Sequence, residues 1–485
     1  MQRTAHSRRW WILVLIGIAQ LMVVLDATIV NIALPSAQEA LGFADADRQW
    51  VVTGYALAFG SLLLLGGRLG DLFGRKPAFV AGLVGFAVAS AIGGAAQSFE
   101  VLVGARVLQG AFGALLAPAA LSLLSTTFSH SAERGKAFAI YGAIAGGGGA
   151  IGLLLGGILT EYLSWRWCLY VNLFIAVPAA IAAVALLPGA EKAAQPRVDI
   201  PGALAAAAGV FGIVYGCAKA DTLGWGDPVT LGFLLAGALL LAAFVALQRR
   251  GRNPLLPLRV VADRNRGGAF AAVGFVGLGM FGVFLFLTYY LQRTLGFSPV
   301  QTGLAFLPMV AMVMGGAGAA NVRMLPRVGP RPLVSVGMLL AAAGMLLLTR
   351  VDLHSTYAGS VLPALLIVGL GFGFVMSTAM NMATLGVAPD EAGVASAMVN
   401  TMQQVGGSIG TAVLSTLAAD AATAYVGSHA PGPATLAQAA IESYTTAFGW
   451  AAVVFAVAAV VCGALMRPGR PAPAPTPDGV PVMVH

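Results

Sequence analysis

WWILVLIGIAQLMVVLDATIVNIAL, residues 10–34, is apolar throughout except for Gln20, Asp26, Thr28 and Asn31. About 20 such residues suffice for one helix to cross a bilayer. A carboxylate at that depth costs several kcal/mol unless it is paired, wetted or protonated, so an acid inside a membrane span marks a working site. Asp26 is the one acid that falls inside an apolar run of this chain. Asn31 follows it about one and a half turns further along the same helix.

Working outward, 58% of residues are hydrophobic and 9% charged, against roughly 25% charge in soluble domains. The composition therefore excludes an ordinary soluble protein. Fourteen apolar runs follow one another, near 10–34, 49–67, 78–97, 101–124, 137–160, 165–187, 200–218, 229–248, 268–291, 300–322, 333–350, 357–380, 393–418 and 444–466. They are Gly-rich and Pro-punctuated, without the alternation of outer-membrane strands, so the expected fold is an all-α polytopic membrane protein.

With the N-terminus in the cytoplasm, 21 of the 27 Lys and Arg fall on the inner side. The positive-inside rule thus places both termini in the cytoplasm of an inner (plasma) membrane protein. The net charge of +8 reports this topology and an attraction to anionic lipid. Nucleic acid is excluded as a partner, because the basic residues are scattered over seven short segments. The first run is too long for a cleavable signal and lacks a small-residue cleavage site. Cys168, Cys217 and Cys462 are far apart in sequence, which suggests neither a disulfide framework nor a metal site.

The chain repeats weakly. GRLGDLFGRKP (67–77) and VRMLPRVGPRP (322–332) both follow a span and share a Gly-x-basic-Pro ending. Repeats of this kind mark transporter halves around a midplane site. The expected organisation is a cytoplasmic tail (1–9), a six-helix bundle (10–188), a linker with two extra spans and a basic loop (189–267), a second six-helix bundle (268–466) and a disordered Pro-rich tail (467–485). A monomer is favoured.

Four groups of residues carry candidate chemistry. Asp26 and Arg106, lone opposite charges placed in the outer halves of neighbouring helices, can neutralise one another. Desolvation favours a neutral carboxyl and a guanidinium favours a charged one, so Asp26 is expected to load and release a proton; the alternative is a pair that only pins helix packing. In the 67–77 segment, Gly67, Gly70 and Gly74 allow a tight turn, Asp71 suits helix N-terminal amides, and Arg68, Arg75 and Lys76 supply charge. Arg75 and Lys76 are expected to meet Asp390 and Glu391 at the opening of span 13, forming a latch. Span 5 carries Gly148, Gly152, Gly156 and Gly157, a face for close approach and sliding, or for static packing. Asn31, Gln109, Asn381, Asn400, Gln403 and Gln404 are polar side chains in spans, expected to meet substrate in a water-filled cavity. Met309, Met312, Met376, Met380, Met382 and Met398 add adaptable apolar wall, or core filler.

Taken together these segments resemble the major facilitator superfamily, in particular its fourteen-helix drug:proton antiporters. GRLGDLFGRKP is similar to the superfamily's cytoplasmic signature loop, LVGARVLQGAFGA (102–114) to its fourth-helix arginine motif, and LDATIVNIALP (25–35) to the first-helix signature of the fourteen-helix branch. WRWCLYVN (165–172) and GVASAMVNTMQQVGG (393–407) resemble the starts of its spans 6 and 13. The resemblance implies two six-helix bundles plus two inserted helices, proton coupling by Asp26 and Arg106, and gating by Gly67, Asp71, Gly74, Arg75 and Lys76. It also implies drug or antibiotic efflux powered by the proton gradient, with no cofactor. The sequence departs from the pattern at Leu153, where the span-5 motif usually has proline, at Gln403, where the family often has arginine, and at Phe174, where a proline is common. A dedicated metabolite carrier of the same fold is the alternative. An enzyme is not expected, since no phosphate-cradling loop, HExxH or ligand-spaced cysteine pair is present.

Overall fold

The computed structural model describes residues 2–44, 47–128, 131–188, 199–251, 256, 258–385, 387 and 392–469. Asp390, Glu391 and the tail from 470 lie outside them. The described chain is helical, with no strand among its residues. Helices α1 (Gln2–Leu41), α2 (Gln49–Phe73), α3 (Arg75–Gly94), α4 (Phe99–Thr127), α5 (Ser131–Tyr162) and α6 (Trp167–Leu186) pack into one bundle. Next come α7 (Ile200–Leu223), α8 (Pro228–Arg250) and the short α9 (Leu258–Ala262). The second bundle holds α10 (Arg264–Tyr289), α11 (Pro299–Ala319), the single turn α12 (Leu325–Val328), α13 (Pro330–Leu348), α14 (Leu362–Thr384), α15 (Ala392–Ser428) and α16 (Pro433–Leu465). Thirteen helices are long and apolar enough to cross a membrane. With α5, a 32-residue helix standing fifth in the order, the arrangement fits the expected fourteen.

Helix starts follow local chemistry. Ser98, Asp199, Asp227, Asp263 and Ser298 each accept a hydrogen bond from a backbone N–H of the helix they precede, satisfying donors that the first turn leaves open. The start of α1 and the end of α16 lie at one end of the molecule, here the near end. There Arg8 donates to the Leu186 carbonyl and Arg264 to the carbonyls of Ala464 and Leu465.

Two segments depart from expectation. The first span does not stop before Pro35: α1 continues to Leu41 with the proline inside it. Proline removes a donor and crowds the preceding turn, and contacts from the second bundle brace the helix around it. Gln292 Nε2 donates to Ile32 O at 3.1 Å and Arg293 Nη2 to Pro35 O at 3.5 Å, both from a π-helical turn (Tyr290–Thr294) that ends α10. Asp26 therefore lies 15 residues from the end of its helix, about 23 Å by helical rise, deeper than the ~14 Å that a stop at Pro35 implies.

The second departure is the 67–77 segment, most of which is helix. α2 runs through Gly67 and Gly70 to Phe73, and the turn is made by Gly74 alone, at φ 98°. Gly329 turns at φ 80° in the matching place of the second bundle, so the repeat read from sequence has the same geometric pivot in both copies. Lys76 Nζ donates to Val184 O at 2.7 Å and Leu187 O at 2.8 Å. Among the described residues its partners are the last carbonyls of α6, where the helix dipole favours a cation; the expected partners Asp390 and Glu391 lie outside the described residues. Lys76→Met should cost about 1–2 kcal/mol, read as a lower unfolding temperature of the detergent-solubilised protein. An unchanged midpoint would mean that the contact contributes nothing.

At the far end the two bundles are tied together. Tyr289 Oη donates to Gln38 Oε1 at 2.6 Å, and the Val300 N–H donates to Glu161 Oε2 at 2.9 Å. The Arg48 guanidinium sits 4.3 Å from the Tyr289 ring centroid, a cation–π contact strengthened by burial. Close glycine crossings run beside these ties. A Cβ on Gly157 would stand 2.6 Å from Pro299 O, and one on Gly303 2.6 Å from Leu153 O. The inserted helix α7 lies against both α2 and α15. Its foot is held by Asp199, which accepts from Gln248 Nε2 at 2.7 Å.

Candidate functional site

Asp26 is completely buried, and so, to within 2%, is Arg106. Arg106 Nη1 donates to Asp26 Oδ2 at 2.5 Å. Oδ1 accepts two more bonds, from Gln109 Nε2 at 2.9 Å and Asn172 Nδ2 at 2.8 Å. Three side chains from α4 and α6 thus converge on one carboxylate of α1. Charge-assisted bonds of this length are the strong ones, and a buried carboxylate needs them all.

The network closes on itself. Arg106 Nη1 also donates to Gln109 Oε1 at 2.8 Å, and Arg106 Nε donates to Val51 O at 3.1 Å. Gln109 Nε2 further donates to Ser90 Oγ of α3 at 2.8 Å. The Tyr55 ring of α2 lies 4.5 Å from the guanidinium carbon. Five helices of the first bundle therefore hold the pair, and among the described residues none of the second does. Two atoms beside it, Asn172 Oδ1 and the Tyr55 hydroxyl, are buried without a hydrogen-bond partner among the described residues.

The backbone reaches this geometry through glycine. A Cβ on Gly110 of α4 would sit against Tyr55 O and Phe59 N, and one on Gly66 of α2 against Ala114 O. These close approaches let α2 and α4 meet at backbone distance, which brings Val51 O within reach of Arg106. On the other side of α1, Gly148 packs on Leu21 and Val24, Gly152 on Leu25 and Thr28, and Gly156 on Ile29. The span-5 glycines thus form a groove that clasps the helix carrying Asp26. Gly157 faces the other way, onto α11.

The remaining sequence candidates are dispersed. Gln109 lies inside the Asp26 network, its amide bonded to Asp26, Arg106 and Ser90. Asn31 donates to Ala27 O at 3.1 Å, while its Oδ1 is buried and unpartnered among the described residues. Gln404 packs beside Gly60 of α2 at the contact between the bundles, the Gln403 backbone crosses Gly277 of α10, and Asn381 and Asn400 are exposed. Arg75 is exposed, Arg68 lies in the last turns of α2, and the Asp71 side chain is outside the described set. Ser90, Asn172 and Tyr55 were not foreseen. Asn172 closes the WRWCLYVN segment, and an amide in so apolar a run is the signal that could have found it.

Residues 16–411 match the family described as the Major Facilitator Superfamily. The chain is 51% identical over 462 residues to the puromycin resistance protein pur8 of Streptomyces alboniger, covering 95% of this chain and 92% of that protein. It is 40% identical to the cephamycin export protein CmcT of Amycolatopsis lactamdurans, with 84% of each chain covered. In fold it is similar to an auto-inhibited POT family peptide transporter, with a TM-score of 0.67 at 17% identity over 96% of this chain and 99% of that one.

Proposed function

Since this chain belongs to the Major Facilitator Superfamily, we propose that it is a proton-coupled secondary transporter that exports amphipathic or cationic organic compounds of the antibiotic class by alternating access. The near end, where α1 starts and α16 ends, faces the cytoplasm of the plasma membrane, and the far end faces outward. Relatives named for puromycin resistance and cephamycin export support export over uptake. The observation that carries the coupling is the sealed Asp26–Arg106 pair.

The acceptor count explains how the pair works. Asp26 Oδ1 already accepts two bonds, and Oδ2 accepts the guanidinium. An arriving proton therefore takes the Oδ2 position, and Arg106 gives it up. Arg106 has other acceptors in reach, Gln109 Oε1 and Val51 O. Once Asp26 is neutral, Arg106 remains as a buried charge without its counter-ion, a state worth about 3–5 kcal/mol less stability than the pair. That penalty drives a rearrangement that wets the site and lets substrate and proton alternate. A proton entering with the membrane potential releases about 2.3 kcal/mol per 100 mV, which sustains a substrate gradient.

The fold supplies the lever. α5 clasps α1 on one face and meets α11 on the other, so a change around Asp26 is passed to the contact between the bundles. With the far end tied, the proposed orientation closes the molecule to the outside. Everted vesicles from cells making the protein should take up puromycin when a proton gradient is imposed, and a protonophore should abolish the uptake. Uptake of one metabolite alone, with no antibiotic or dye moved, would favour the dedicated carrier instead.

A further inference from the structure

Among the described residues the buried arginines are Arg106 and Arg48. The first belongs to the Asp26 pair. The second stands just before α2, at the far end of the first bundle, and proton coupling at Asp26 does not use it. Its guanidinium lies over two rings of the second bundle, 4.3 Å from the Tyr289 centroid and 5.5 Å from that of Phe286. Both rings are buried. They are three residues apart, on one face of α10, and Tyr289 bonds Gln38 of α1, so that face is turned to the first bundle. On α1, Asn31 comes seven residues before Gln38, two turns away on the same face. Asn31 is only 5% exposed, and its Oδ1 has no hydrogen-bond partner among the described residues.

We propose that the Phe286–Tyr289 ring pair is an exit subsite for the cationic group of the transported compound, and that Arg48 holds the compound's place in this closed far end. The inference rests on export by alternating access, as read above, and names the chemistry that the far mouth recognises. Ring faces attract cations, and more strongly as water is removed. That attraction does not distinguish a guanidinium from another organic cation. The rings belong to one bundle and Arg48 to the other. Opening the far end therefore breaks the Gln38–Tyr289 tie and carries Arg48 off the rings, leaving their faces on the outward cleft. A compound with an ammonium or phosphonium group then finds the surroundings that Arg48 has left. About 10 Å further in along α1, Asn31 Oδ1 is an open acceptor for an N–H of such a compound. Closing brings Arg48 back, and two cations cannot share one ring pair. Closure thus expels the compound outward and opposes its return.

The test measures equilibrium binding of two probes of similar shape to the purified full-length protein, methyltriphenylphosphonium (a cation) and triphenylphosphine oxide (neutral). The ratio of their dissociation constants cancels any loosening of the far end that both probes feel. Arg48→Gln removes the resident cation and should raise the preference for the phosphonium about fivefold, about 1 kcal/mol. Arg48→Lys, which keeps the charge, should stay at the wild-type ratio. Phe286→Leu, which keeps an apolar side chain but no ring, should lower the preference about fivefold in the wild-type background and abolish the gain in Arg48→Gln. Should Arg48→Gln fail to fold, Phe286→Leu alone decides. An unchanged ratio in Arg48→Gln, or in Phe286→Leu, would overturn the subsite, as would equal losses of both probes in Phe286→Leu, which would reduce the rings to apolar wall. Absence of proton-driven puromycin export by the wild type would instead remove the reading on which the subsite rests.

Discussion

Asp26→Asn is expected to abolish proton-driven export, by about a hundredfold or more, the scale on which loss of a proton-transfer group is felt. Its effect on stability should be nearly as large. The amide leaves Arg106 buried without a counter-ion, which costs about 3–5 kcal/mol. It also places a fourth N–H donor among Gln109, Asn172 and Arg106, all of which donate to that side chain. Because a destabilised protein could lose transport for trivial reasons, the double variant Asp26→Asn with Arg106→Gln is the informative one. Removing both charges should recover most of the unfolding temperature and none of the proton-driven transport. Recovery of transport along with stability would mean that the pair only holds the helices together, the alternative that the sequence left open.

The second large effect is expected on the opposite face of α1. A Cβ on Gly152 would land on Thr28 Oγ1 and stand 3.0 Å from Leu25 O. Overpacking of this kind costs about 1–3 kcal/mol, and here it pushes α1 away from α5 at the level of Asp26. Gly152→Val should therefore cut export at least about tenfold, with the milder Gly152→Ala between it and the wild type. Thr28→Ala in the Gly152→Ala background should restore part of the loss, because it removes the nearest atom but leaves the Leu25 carbonyl. Gly147→Ala is the control: nothing lies within 4 Å of its Cβ position, so it should be silent. Equal effects at 147 and 152 would show that glycine content matters here and the groove does not. Export assays paired with thermal unfolding separate these outcomes.

The parts of the site that could be read in advance are those where a residue type is out of place. Asp26 and Arg106 are conspicuous because a charge in an apolar run has so few tolerable explanations. Their mutual reach, within 2.5 Å, follows from two lone opposite charges on packed helices. Ser90 and Tyr55 were opaque for the converse reason: a serine or tyrosine in a membrane helix is common, and a serine often bonds its own backbone. Their place in the network depends on how α3 and α2 are rotated, which periodicity in an all-apolar helix does not reveal. Gln109 was legible as a polar residue, while its bonds to Asp26, Arg106 and Ser90 are visible only in the fold.

Helix ends were misread where tertiary partners override local rules. Pro35 ordinarily argues for a stop, but the helix around it is braced by Gln292 and Arg293 of the other bundle, which donate to the carbonyls of Ile32 and Pro35. The three glycines of 67–77 look equivalent in sequence, while a positive φ is needed at Gly74 alone. Among the described residues Lys76 meets the open carbonyls of α6, a partner that charge alone does not single out in the sequence.

The central claim is that Asp26 itself carries the exchanged proton, and infrared difference spectroscopy of the purified protein reads it most directly. Adding puromycin at a fixed mildly acidic pH should produce a loss of protonated-carboxyl absorption in the wild type, matched by proton release into the medium, and neither signal in the Asp26→Asn, Arg106→Gln double variant. The same carboxyl band and the same proton release in the double variant would place the exchanged proton elsewhere and contradict the account.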